Sequence, residues 1–275
     1  MDIVIIGAQK AGTTWLFSML KQQPRVAFAM QKEIHYFDQL CSGDFDKKKR
    51  LNFIRKKNAG GVNSARKRFR DYMQYVLDPE VAYTDDWYRN IFLKKPSTRR
   101  RLRSGMKLVF AEASPNYMAM PEDGIAHMAR LLPDIEPILI IRDPVKRMIS
   151  GTSMQLARSN NTVGDGDDDV IGFIDDTQVL KGGYARAIPL FKRYFSGLHV
   201  IPFGDIADRP EQVLRAIEIK YELDEILYDA LDEKNNSKSG KVELSQPVRD
   251  HIDAVCEPEY DFLRREFGEA FLGRI

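Results

Sequence analysis

The sequence predicts an α/β protein with three layers, a central parallel sheet flanked by helices. Four short apolar runs, rich in β-branched residues, recur at 2–7, 107–114, 136–144 and 198–206. Runs of this length and continuity suit strands buried on both faces. Segments with helical apolar spacing lie between them, and that alternation is the mark of a parallel sheet. The 275 residues are 43% hydrophobic and 30% charged, enough to fill one large core. A single domain over 1–275 is expected, with a basic insertion at about 44–70.

The elements follow in order. DIVIIG (2–7) forms the first strand, and Thr13 or Thr14 is placed to cap a helix running to about Gln23, where Pro24 stops it. KLVFAEAS (107–114) is a second strand followed by a loop at PNY, and 124–133 is a short helix ended by its proline. EPILIIRDP (136–144) is a third strand, after which Pro144 suits the first position of a helix. GDGDDD (164–169) reads as an acidic turn or loop, 182–195 as an amphipathic helix with an internal proline, and 198–206 as a fourth strand. Helical spacing returns at 209–223 and 246–268. The insertion carries eleven of the 42 basic residues and two of the 40 acidic ones. It reads either as a solvated helical pair or as a docking surface for an anionic acceptor, to which STRRRLRS (97–104) adds.

The totals remove several classes. Net charge is +2, so whole-chain charge gives no reason to expect a nucleic-acid partner. No run approaches the roughly 20 apolar residues of a membrane span, and the N-terminus lacks a cleavable leader pattern. A cytoplasmic protein is expected, although a domain excised from a longer chain fits the same totals. Cys41 and Cys256 lack paired CxxC spacing, so free thiols are expected rather than zinc ligands. Oligomeric state is not readable.

IIGAQKAGTTW (5–15) carries the chemistry. A glycine turn between a buried strand and a helix points unpaired amides and the helix dipole at an anion. Gly7 and Gly12 have the spacing of an NTPase phosphate loop, but Thr13 stands where that motif needs lysine, and the lysine is Lys10. Asp143 follows Arg142, whose charge opposes a bound cation. The loop therefore suits an anion held without a metal. The rival is a P-loop kinase or NTPase with a displaced lysine.

KAGTTW (10–15) resembles the 5′-phosphosulfate loop of sulfotransferases that use 3′-phosphoadenosine 5′-phosphosulfate (PAPS). IIRDPVKRMIS is similar to their 3′-phosphate element, with Arg142 and Ser150 eight residues apart. QKEIHYFD (31–38) resembles a segment of the heparan sulfate sulfotransferase branch and its bacterial relatives, in which the glutamate is the base. Residues 84–92, 112–118, 182–195 and 200–206 also resemble family segments, whereas 44–70 and 164–169 do not. The resemblance implies a P-loop-like, PAPS-binding sulfotransferase fold and an acceptor that is a carbohydrate, glycolipid or small natural product. The product would be 3′,5′-ADP.

The resemblance also distributes roles. Lys10 would stabilise the leaving oxygen, while Ala11, Gly12, Thr13 and Thr14 would hold the 5′-phosphate. Trp15 would pack near adenine or in the core, and Tyr184 beside the 3′-phosphate or in the core. Lys238, Ser239, Gly240 and Lys241 would form a further cofactor loop. Glu33 would be the base, with His35 as the alternative, and Lys32 would bind a sulfonate oxygen. An extended KEIHYF would send Glu33 and His35 to one side, and burial or pairing would raise Glu33 toward neutrality. A polyanion-binding module built on the same scaffold is the non-enzymatic rival.

Overall fold

The computed structural model describes residues 1–157, 166–231 and 243–275. The described strands are β1 (Ile3–Gly7), β2 (Val26–Phe28), β3 (Val109–Ala113), β4 (Ile138–Ile141) and β5 (His199–Pro202). They form one parallel sheet in the order β2-β3-β1-β4-β5. Every residue of β1 and β4 is buried, because helices cover both faces. The three-layer α/β expectation holds.

Local chemistry explains several helix starts. The helix Pro144–Leu156 starts at proline, and Asp143 caps it by accepting from the Lys146 amide at 2.7 Å. Thr84 caps Asp85–Leu93 through the Trp87 amide at 3.1 Å. The insertion folds as helices Lys47–Lys57 and Ala59–Val62 and the start of Lys67–Val76.

Several boundaries depart from expectation. β2 has three residues, too few to register as a strand in the sequence; it exists because β3 pairs with it. The run 198–206 stops being strand at Pro202 and becomes the helix Phe203–Asp208. Asp167, Asp168 and Asp169 form the first turn of the helix Asp167–Phe173 rather than a loop. Negative charge there complements the helix dipole. The helix after β1 runs Thr13–Leu20, with Gly12 at its cap position and no capping side chain. Thr13 and Thr14 are thus its first two residues, not its caps. Cys41 and Cys256 are free thiols, and no helix among the described residues is long and apolar enough to cross a membrane.

Candidate active site

Strand order creates the site. From β1 the chain turns first toward β3 and β2, and later reaches β4 and β5 on the other side. The connections after β1 and β4 therefore diverge, and a crevice opens at the carboxyl ends of these two neighbours. The loop 7–12 and Arg142 occupy that crevice.

The loop is shaped by what cannot fit. A Cβ on Gly7 would lie 2.8 Å from Met118 Cβ, which belongs to the turn Pro115–Ala119 after β3. Gly12 has φ 90, where a side chain is strained, and a Cβ there would come within 3.2 Å of Ile206. Lys10 also has positive φ, 69, although it is not glycine. Such a conformation costs about 1–3 kcal/mol and persists only where its surroundings enforce it. Arg142 supplies part of that enforcement, donating from Nη1 to the Lys10 carbonyl at 2.7 Å. The Ala11 amide donates to Ala8 O at 3.2 Å and tightens the turn. Beyond the loop, the first-turn amides of Thr13–Leu20 have no intrahelical acceptor and face the crevice. Lys10 Nζ lies 3.6 Å from Met154 Sδ, toward the helix that follows β4.

Arg142 is held from several sides. Its amide donates to the Tyr184 hydroxyl at 3.2 Å, and that hydroxyl donates to the Arg142 carbonyl at 3.1 Å. Its guanidinium lies 4.8 Å from the Phe203 ring centroid. Arg142 Nε is buried without a protein partner. A buried charged donor left unpaired is costly, so this atom is suited to a bound anion. Ser150 lies two turns further on, partly exposed on the same helix. Tyr184 is fully buried with its hydroxyl engaged by backbone, so its place is beneath Arg142.

Trp15 is 6% exposed, and its indole donates to Leu231 O at 3.0 Å. Lys238, Ser239, Gly240 and Lys241 lie outside the described residues. Of the described residues on either side, Leu231 accepts from Trp15, and Leu244 packs with Met148 on the helix after β4.

The segment 31–36 is not a strand; it is irregular, with His35 at φ 55. Glu33 and His35 nonetheless meet, because the left-handed residue swings the imidazole back. His35 Nε2 is 3.3 Å from Glu33 Oε2, and His35 Nδ1 is 2.7 Å from Asp38 Oδ2. Lys32 Nζ donates to Thr14 Oγ1 at 2.7 Å and to Glu33 Oε1 at 3.4 Å. A contact thus joins the start of the helix Thr13–Leu20 to the 32–38 turn. Burial alone would raise the Glu33 carboxyl, but the His35 hydrogen bond and the Lys32 charge outweigh it and hold the pKa down to about 2. That reverses the expected direction. Burial alone would lower His35, yet Asp38 and Glu33 raise it to about 9. Burial lowers Lys32 against the opposing pull of Glu33. The turn is an ion triplet, carboxylate–imidazolium–carboxylate.

Two contributors escaped the sequence reading. Asp38 stands three residues after His35, and a turn at His35 was the missing signal. Phe203 braces both Gly12 and Arg142, although it lies in the VIPFGDI stretch already marked as family-like. Among the described residues, no group of His, Cys, Asp and Glu is arranged to hold a metal.

A glycine turn at a parallel-sheet switch point, with Arg142 just past the neighbouring strand β4, is an arrangement able to hold an anion in an α/β fold. A sulfotransferase family model matches residues 2–225, and the chain belongs to that family. Solved structures agree in fold. A sulfotransferase from Alicyclobacillus acidocaldarius superposes with a TM-score of 0.64 at 18% identity, over 96% of this chain and 94% of that one. Sulfotransferase STF9 from Mycobacterium avium gives 0.52 at 14% identity, over 98% and 77%. The sulfotransferase domain of the curacin biosynthetic pathway gives 0.51 at 14% identity, over 94% and 97%. A search of curated protein sequences finds no significant match.

Proposed function

We propose that this chain moves a sulfuryl group from PAPS to a hydroxyl or amine of a carbohydrate or glycoconjugate. The observation that carries the reading is the linkage Arg142–Lys10 and Thr14–Lys32–Glu33–His35. It supports the reading because groups able to hold an anion lie beside groups able to exchange a proton. The unpaired Arg142 Nε and the glycine-lined turn fit a nucleotide that carries two separate anionic groups.

PAPS would supply an activated sulfur whose bond to the phosphate oxygen breaks as the acceptor oxygen attaches, leaving 3′,5′-ADP with the bonding pair. The chain's own residues do the rest. The amides of Gly12, Thr13 and Thr14 would hold the 5′-phosphate, Ala11 would shape the turn with its amide on Ala8 O, and Lys10 would neutralise charge on the departing oxygen. Arg142 and Ser150 hold the 3′-phosphate, with Tyr184 fixing the Arg142 backbone. Trp15 walls the adenine side. Lys32, whose Nζ is on Thr14 Oγ1, would bind a sulfonate oxygen. Glu33 takes the acceptor proton. His35 is protonated up to about pH 9 and has no vacancy for a proton near neutrality, which favours Glu33 as base. A carboxylate with a pKa near 2 still serves, because an oxygen already bonding to sulfur is a strong acid when its proton leaves.

Arg142→Ala is expected to weaken 3′,5′-ADP binding roughly 10- to 100-fold, the loss of about 1.5–3 kcal/mol of charged hydrogen bonding. Titration calorimetry beside AMP, and beside ATP with Mg²⁺, checks it. Unchanged 3′,5′-ADP affinity refutes the assignment, and binding of ATP with Mg²⁺ instead would return the loop to a triphosphate site.

The acceptor side is set by the insertion. Arg50 donates from Nη2 to the carbonyls of Glu33 and Ile34 at 3.2 and 3.1 Å, tying the helix Lys47–Lys57 to the base segment. One face of that helix presents Phe53, 51% exposed, with Arg50 and Lys57 at 5.3 and 5.7 Å from its ring. A flat ring flanked by cations suits a sugar bearing an acidic substituent. Phe53→Ala is expected to raise the KM for acidic oligosaccharides about tenfold, roughly 1.4 kcal/mol, with kcat retained. Equal KM values in wild type and variant would remove this face from the acceptor site.

A further inference from the structure

Glu112, at the end of β3, is 1% exposed and takes no part in the reaction described above. Its carboxyl accepts from Ser114 Oγ at 2.7 Å and from the Tyr117 hydroxyl at 2.6 Å, and also from the Tyr88 hydroxyl. Each of those three side chains grips the 35–37 turn. The His35 amide donates to Ser114 Oγ at 3.3 Å, and the Tyr36 amide donates to the Tyr117 hydroxyl at 3.0 Å. The Tyr36 ring stacks on Tyr88 with centroids 4.6 Å apart. Phe37 packs edge-on against Tyr88 and Tyr117.

We propose that Glu112, Ser114 and Tyr117 form a positioning relay that holds the left-handed turn at His35 and so aims its imidazole at Glu33. The reason lies in hydrogen-bond direction. A hydroxyl has one proton to give. The carboxyl takes that proton from Ser114 and from Tyr117, so both oxygens must turn lone pairs toward the amides of His35 and Tyr36. Two consecutive amides are then fixed around a residue at φ 55, a conformation that a non-glycine residue leaves when it is not held. Burial pushes the Glu112 carboxyl up to about 7 despite its three donors. A protonated Glu112 can give its proton to Tyr88, which has no amide to hold, and the relay to the turn survives.

The importance of the relay for catalysis rests on the proposed role of Glu33 and His35, but its geometry is tested without cofactor or acceptor. The chain has four histidines, and a pH titration of their ring protons by NMR, with His35→Asn for assignment, reads His35 directly. The ring faces Glu33 and Asp38, with the Arg50 charge opposing them. In the wild type it should titrate at about 9. Tyr117→Phe and Ser114→Ala each remove one oxygen atom, and each should move that midpoint down. The double variant should move it down furthest as contact with Glu33 is lost, while the Asp38 contact keeps it above the ordinary imidazole value of 6.5. Glu112→Gln, whose amide oxygen still accepts from both hydroxyls, should keep the midpoint high. A structural role alone would lower the melting temperature and leave the titration in place. A double variant that is folded by near-UV circular dichroism and titrates like wild type would overturn the relay. So would a single variant with an unmoved midpoint.

Discussion

Lys10→Ala should reduce sulfuryl transfer by at least about 10²- to 10³-fold, the loss seen when one preorganised charge-stabilising donor is removed. Lys10 is the cation of the loop itself, and the chain has bent its backbone to place it there. Its φ of 69 is unusual for a lysine, and the Arg142 guanidinium holds its carbonyl. Thr13 occupies the position where an NTPase loop would carry its lysine, so no second loop cation takes over. Arginine at position 10 should not restore the rate, because a planar fork differs in shape and reach from a single ammonium. The measurement is kcat at saturating PAPS, paired with thermal unfolding. A variant with near-normal kcat would remove Lys10 from the chemistry, whatever happened to binding.

Glu33→Gln should lower kcat by about 10²- to 10⁴-fold, the usual scale for a lost acid–base group, with 3′,5′-ADP affinity little changed. The amide is isosteric and keeps one oxygen to accept from either Lys32 or His35, while the proton acceptor disappears. The pH profile follows from the two shifted groups. His35 is raised from 6.5 to about 9, so the stability gained from its ion pairs is complete below 6.5 and fades as pH rises through about 9. Glu33 is depressed from 4.5 to about 2, so its contribution is complete above 4.5 and fades as pH falls toward 2. Wild-type activity should form a plateau between those limits and fall on the alkaline side near 9. Glu33 is partly exposed, with its side chain at 42%, so solvent and salt should soften both edges. An activity rise with a midpoint near 6.5, persisting in Glu33→Gln, would instead make neutral His35 the base.

The layered α/β class, the position of the glycine loop and several of the helices are written locally, whereas Asp85–Leu93 and Pro96–Arg103 are not. Period and propensity act over a few residues, so DIVIIG, IIRDP and the helix start at Pro144 announce themselves. The family likewise speaks through short motifs, Lys10 to Trp15 and Arg142 to Ser150, because an anion site at a strand end needs few residues in fixed spacing. Contacts between distant segments are not written that way. A three-residue β2 exists only because β3 lies beside it. The His35 turn comes from Ser114 and Tyr117, some 80 positions away, rather than from any preference of KEIHYF. The reversed sign at Glu33 follows from that tertiary hold: Lys32, His35 and Asp38 are near in sequence, but only the held turn, not an extended KEIHYF, draws their charges into one cluster beside the carboxyl. Tyr184 became a support for Arg142 and Phe203 a brace for the loop for the same reason. Local sequence sets which chemistry a segment can offer, while charge, hydrogen-bond direction and strain depend on neighbours that only the folded chain supplies.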